Sequence, residues 1–120
     1  MSYNTKNLGD YGERLACSFL EGKGYRILER NFRGSYGEID IIAISPESHL
    51  VFLEVKTRRS NRYGEACEAV DFRKREKIIS TSMEYILMKN LDFQLRYDII
   101  EVYPSSIELI RHIENAFGRE

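Results

Sequence analysis

Two apolar runs dominate the hydropathy pattern, and charge intrudes on both at one end. Residues 39–44 read Ile-Asp-Ile-Ile-Ala-Ile, and residues 50–56 read Leu-Val-Phe-Leu-Glu-Val-Lys. Their β-branched and aromatic content predicts two strands. The cluster Ser45-Pro46-Glu47-Ser48-His49 between them predicts the turn of an antiparallel hairpin. Upstream, residues 10–22 pattern as a helix stopped by Gly22 and Gly24, and residues 25–32 as a strand that leaves through a Gly-containing loop at 33–37. Downstream, a basic loop over 57–64 leads to a long helix over 71–89. Ile79, Met83, Ile86 and Leu87 recur there at helical spacing and predict its buried face. Residues 94–103 and 106–113 complete the chain as two strands separated by Pro104 and Ser105. The order α-β-β-β-α-β-β predicts an α/β sandwich, a mixed sheet of about five strands flanked by helices. The long helix serves as the crossover that lets the third and fourth strands run parallel.

The hairpin register brings the intruding charges together. If Ile44 pairs with Leu50, the same pairing carried along both strands sets Asp40 opposite Glu54, and Glu54 shares a face with Lys56. Opposed residues have Cβ atoms ~4.5–5.5 Å apart, where like charges repel. Burying charge costs several kcal/mol unless it is paired or coordinates a metal. A divalent cation between the two carboxylates would turn the repulsion into coordination. Oxygen ligands from one or two carboxylates, completed by water and substrate phosphate, suit Mg²⁺. The structural alternative is an ion pair of Lys56 with Glu54 or Asp40 closing the open end of a sheet.

Composition narrows the setting. With 120 residues, 42% hydrophobic and 31% charged, residues 1–120 form a single domain of ordinary soluble character. No apolar run approaches the ~20 residues of a membrane span, and the polar start is unlike a signal peptide. Cys17 and Cys67 have neither metal-site nor disulfide-framework spacing, so a reducing cytoplasm is the expected compartment. Net charge is 18 − 19 = −1, so attraction to nucleic acid must come from local patches. Two such patches stand out. Lys56 to Gly64 holds Arg58, Arg59 and Arg62 with no acid, and Arg73-Lys74-Arg75-Glu76-Lys77 opens the long helix. Cations at a helix N-terminus oppose the macrodipole, and an anionic substrate would justify them; a solvated charged face is the plainer reading.

At these residues the chain resembles the PD-(D/E)xK nuclease superfamily with its restriction-endonuclease-like fold. Asp40 followed by Glu54-Val55-Lys56 matches that superfamily's core signature. More closely, the chain resembles the YraN-like family of small bacterial proteins. The likeness runs through Gly9-Asp10-Tyr11-Gly12-Glu13, Gly24-Tyr25, Asn31, Gly37 to Asp40, Val51 to Arg58, Lys74, and Arg96-Tyr97-Asp98. That family is similar in turn to Holliday junction resolvases. Leu53 and Tyr97 depart slightly from the pattern, away from the candidate chemistry.

The resemblance implies a metal-dependent nuclease acting on nucleic acid, DNA in the first place. Asp40 and Glu54 would hold Mg²⁺ (or Mn²⁺), with the backbone carbonyl of Val55 as a further ligand. Lys56 would orient or deprotonate the attacking water or stabilise the transition state. Arg58, Arg59, Arg62 and Lys74 are the candidate phosphate contacts. Glu13 has two readings: with Asp10 it forms a capping box at the helix start, or, as the resolvase resemblance implies, it joins the metal site. Glu38 reads as a solvated or arginine-paired acid, and Arg96 with Asp98 as a structural ion pair. No role is assigned to His49 or His112. Resolvases are dimers, so a homodimer is the expected assembly. Two alternatives stand beside the nuclease: a non-catalytic nucleic-acid-binding module that keeps the fold, and a protein-interaction domain. The complete Asp40, Glu54 and Lys56 set argues against the first, and the basic loop against the second.

Overall fold

A computed structural model describes residues 5–58, 71–104 and 108–118. The elements are α1 (Thr5–Gly22), β1 (Arg26–Arg33), β2 (Glu38–Ile44), β3 (His49–Thr57), α2 (Phe72–Lys89), β4 (Gln94–Pro104) and β5 (Glu108–Phe117). The strands form one sheet in chain order, antiparallel except for β3 and β4, which α2 joins as a parallel pair. This is the α/β arrangement expected of a restriction-endonuclease-like fold.

The sheet separates two apolar cores. Ile42, Phe52, Tyr97 and Ile99 pack against Ile78 and Tyr85 of α2. Ile41, Ala43, Val51, Leu53, Ile100 and Val102 pack against Ala16 and Leu20 of α1 on the other face. No helix among the described residues is long and apolar enough to cross a membrane.

Local chemistry fixes where the helices stop. At the end of α1, Gly24 takes φ +90°, the Tyr25 N–H bonds the Leu20 carbonyl at 3.0 Å, and the Gly24 N–H bonds that of Glu21 at 3.0 Å. This is a Schellman closure on a residue with no Cβ penalty. Asn90 closes α2 in the same way at φ 53°, with the Leu91 N–H on the Ile86 carbonyl at 3.1 Å. Asp71 caps the start of α2, its side chain accepting from the Lys74 N–H at 2.9 Å.

Two expectations fail here. The first helix begins at Thr5, not near residue 10, so Asp10 and Glu13 lie inside it and form no capping box. The fully buried stripe of α2 is Ile78, Thr81, Ser82 and Tyr85; of the predicted face, Ile79 and Ile86 pack against the core half-buried, while Leu87 is 82% exposed. Two hydroxyls made that stripe hard to recognise. Thr81 donates to the Lys77 carbonyl at 2.7 Å, and Ser82 bonds the Ile79 carbonyl at 2.6 Å and the Tyr97 hydroxyl at 2.7 Å. With their hydrogen bonds satisfied, small polar residues face the sheet at little cost.

Candidate active site

The site is built where β2 and β3 part. Their ladder runs in the expected register, Ile44 opposite Leu50, as far as Ile41 opposite Leu53. At the next step the Asp40 carboxylate replaces the backbone, its Oδ2 accepting the Val55 N–H at 2.8 Å. β3 stays paired with β4 through Thr57 opposite Val102, so residues 54–57 remain anchored on one side only. On the far side of β2 the ladder passes from Arg30–Ile41 to Phe32–Ile39, skipping Asn31 and Asp40, and Asn31 takes φ 52°. Ile39 packs into the α2-side core and Ile41 into the α1-side core, although simple alternation would put both on one face. β2 therefore changes face at Asp40, and the irregularity turns that acid into the gap between the strands.

A cleft of about 270 Å³ opens beside it, lined by Gly37, Glu38, Asp40, Glu54, Lys74, Lys77 and Ile78. Glu54 is 5% exposed. Its Oε1 lies 2.6 Å from the Lys74 Nζ and 3.7 Å from the Lys56 Nζ. Burial, reinforced by the neighbouring Glu54 charge, pushes the Asp40 carboxyl up to about 8, even though the Val55 N–H favours its ionised form. Burial and the Lys74 ammonium pull Lys56 below its ordinary value. Burial acts the same way on Lys74, but the Glu54 carboxylate outweighs it and holds that ammonium above its ordinary value.

Glu13 reaches toward this region from α1. Its carboxylate lies 3.6 Å from Arg30 on β1, and its Oε1 is buried with no hydrogen-bond partner. Burial raises its pKa, opposed by the Asn31 side chain and Arg30. Among the described residues no three acidic, histidine or cysteine side chains converge tightly enough to hold a metal by themselves. The donor set that fits a hard divalent cation is therefore Asp40 with Glu54. The backbone carbonyl of Val55, the further ligand that the resemblance implies, belongs to the residue whose N–H Asp40 accepts.

The other candidates are placed variously. Lys74, expected among the phosphate contacts, pairs with Glu54 at the mouth of the cleft. Arg58 follows β3, its N–H on the Val102 carbonyl at 2.8 Å. Arg59 and Arg62 lie outside the described residues. Glu38 pairs with Arg33 at 3.3 Å. The Arg96–Asp98 pair forms at 2.9 Å, within a larger buried network than the sequence suggested. Asp98 also accepts from His112 Nε2 at 2.7 Å and from the Asn115 N–H at 2.9 Å, and Arg96 donates to the Tyr25 hydroxyl.

Glu101 went unnoticed in the sequence. It is fully buried on β4 directly beside Lys56, with Arg111 at 3.4 Å and the Tyr103 hydroxyl donating at 3.2 Å. An acid inside the run Ile99 to Tyr103 was the available signal, the same one that exposed Asp40.

Comparison with known proteins places the chain. It is 46% identical over 119 residues to a UPF0102 protein of Caldanaerobacter subterraneus subsp. tengcongensis, covering 95% of this chain and 97% of that one. A UPF0102 protein of Clostridioides difficile is 47% identical over 115 residues, covering 95% and 99%. Among solved structures, one titled "Structure of EndoMS-dsDNA2 complex" aligns at TM-score 0.40 and 14% identity, over 78% of this chain and 44% of that one. SfsA of Pyrococcus furiosus, in complex with Ca²⁺, aligns at TM-score 0.34 and 14% identity, over 92% and 64%. Likenesses this loose carry no functional argument. The model of the family described as "Uncharacterised protein family UPF0102" matches residues 12–102, and the chain belongs to that family.

Proposed function

We propose that this protein is a metal-dependent nuclease of the cytoplasm that hydrolyses phosphodiester bonds in DNA, on branched or repair intermediates, and works as a twofold pair. The observation that carries the reading is the Asp40–Glu54 pair, desolvated in a cleft beside Lys56 where two strands part. Lys56 and Lys74 both lie on Glu54, and among the described residues no base pairs with Asp40, so structural ion pairing accounts for one carboxyl and not for the second pushed against it. Asp40, Glu54 and the Val55 carbonyl would hold Mg²⁺ or Mn²⁺. When bound, the ion would supply Lewis-acid polarisation of a phosphoryl oxygen. Lys56 has its pKa lowered by burial and by Lys74, so it exists more readily as the free amine that can take a proton from the attacking water. The basic residues that follow it, Arg58, Arg59 and Arg62, would hold the phosphate backbone.

Incubation with labelled linear, nicked and four-way-junction DNA, with Mg²⁺, with Mn²⁺ and with EDTA, tests the reading. Cleavage that requires the metal and disappears in Glu54→Gln is the expected result. Retained DNA binding with no cleavage of any substrate under either metal would overturn it in favour of a non-catalytic binding module.

A further inference from the structure

Lys74 stands where a cation would stand. Its Nζ is 2.6 Å from Glu54 Oε1, a closer approach than the 3.7 Å of Lys56 to the same oxygen. It comes from a different layer, the first turn of α2, and the Asp71 cap on its own N–H fixes its backbone. Its side chain is 42% exposed while that of Glu54 is 6% exposed, so the lysine reaches inward from the cleft's mouth. In this position it neutralises Glu54 and also favours the charge on Asp40.

Building on the nuclease reading, we propose that Lys74 is a positioning residue that occupies the cation's place at Glu54 until substrate arrives, and so couples metal binding to DNA binding. A divalent ion shared by Asp40 and Glu54 competes directly with the Lys74 ammonium for Glu54. A phosphate at the cleft's mouth offers that ammonium an alternative partner of the same sign as Glu54. DNA thereby removes the competitor, and metal in turn frees the lysine for DNA. Because linkage is reciprocal, each ligand tightens the other by the same factor. The same turn of α2 carries a built-in control, Lys77, which lines the cleft but has no ion pair with Glu54 among the described residues.

The test measures Mn²⁺ affinity directly, by electron paramagnetic resonance of the free ion, with and without a duplex whose linkages are non-hydrolysable. Wild-type protein is expected to bind Mn²⁺ about tenfold more tightly when the duplex is present, within the usual range of coupling between sites. Lys74→Met, and independently Lys74→Gln should the first fold poorly, is expected to bind Mn²⁺ about tenfold more tightly without DNA and to gain nothing further from it. Equal Mn²⁺ affinity in wild type and both Lys74 variants would overturn the inference while leaving the nuclease reading intact. An equal gain in Lys77→Met would also overturn it, since the effect would then be general electrostatics. Absence of Mn²⁺ binding in every protein, with and without DNA, would refute the metal site and the inference together.

Discussion

Asp40 is the residue on which charge, register and fold meet. Its carboxyl is pushed up to about 8, far above the ordinary 3.8, by burial and by Glu54. A raised folded-state pKa means that the unfolded chain releases this proton first. The stability contributed is complete below pH ~4 and is lost progressively as pH rises toward about 8. Asp40→Asn removes that slope. In EDTA at pH 8 it is expected to raise the melting temperature by about 5 °C or more, and to lack the further rise expected of the wild type on adding Mg²⁺ or Mn²⁺. Thermal melts of both proteins across pH 5–9, with and without metal, would check this; an unchanged metal-dependent shift in Asp40→Asn sinks the ligand assignment. The sequence revealed this residue because an acid inside a β-branched run is conspicuous. It did not reveal Lys74 as that acid pair's counter-ion, because the contact joins two elements twenty residues apart and local pattern does not report which way a lysine stem turns.

At the level of elements, two packing contacts hold the site's supports in place. Gly12 sits one turn before Ala16 and two before Leu20 on the buried face of α1, and a Cβ there would lie 2.0 Å from Thr57 Oγ1 and 3.1 Å from its Cβ. The glycine lets α1 approach the end of β3, which also fixes the position of Glu13. Gly12→Ala is expected to destabilise by about 1–2 kcal/mol, the overpacking cost outweighing the ~1 kcal/mol of helix propensity gained. Thr57→Ala should rescue part of that loss in a double-mutant cycle; stabilisation by Gly12→Ala alone would show that the helix is not held this closely.

The second contact is the buried network around Asp98. Burial opposes its charge, but hydrogen bonds from His112, Arg96 and the Asn115 N–H outweigh it and hold the carboxyl below its ordinary range. For a depressed carboxylate the stability is present above pH ~4 and is lost as pH falls through the folded-state value. Asp98→Ala is expected to cost roughly 3–5 kcal/mol at neutral pH and to flatten the acid limb of the stability curve, read by urea unfolding at pH 7 and pH 3. The sequence placed Arg96 and Asp98 two apart on one strand and so gave that pair. His112 lies in the regular ladder opposite Ile100, but Asn115 comes from the irregular stretch of β5, where the pairing shifts between Ile99–Ile113 and Tyr97–Phe117, and no periodicity announces such a shift.

For the whole molecule, the sheet order and the single parallel pair follow from one long crossover, which is why the architecture was legible in the order of elements alone. Assembly was less legible. The apolar residues near the predicted element ends, Tyr85, Leu91, Phe93 and Phe117, offer no interface stripe: Tyr85 and Phe117 are 2% and 8% exposed and belong to the core, and Leu91 and Phe93 pack against it. The large apolar side chains left outside include Leu87 and Met88 on the last turn of α2, 82% and 61% exposed. Under the nuclease proposal each chain brings one Asp40–Glu54 site, while severing a duplex or resolving a junction takes two cuts, and a twofold pair sets two such sites at a fixed separation. If the chain pairs before meeting DNA, light scattering over a hundredfold concentration range will give twice the 14.1 kDa of the monomer. Replacing Leu87 and Met88 together by lysine will then return it to monomer without lowering its melting point in dilute solution, because neither side chain belongs to the core. A constant monomer mass at every concentration would refute the preformed pair. An unchanged dimer in the double variant would place the interface elsewhere, away from the end of α2.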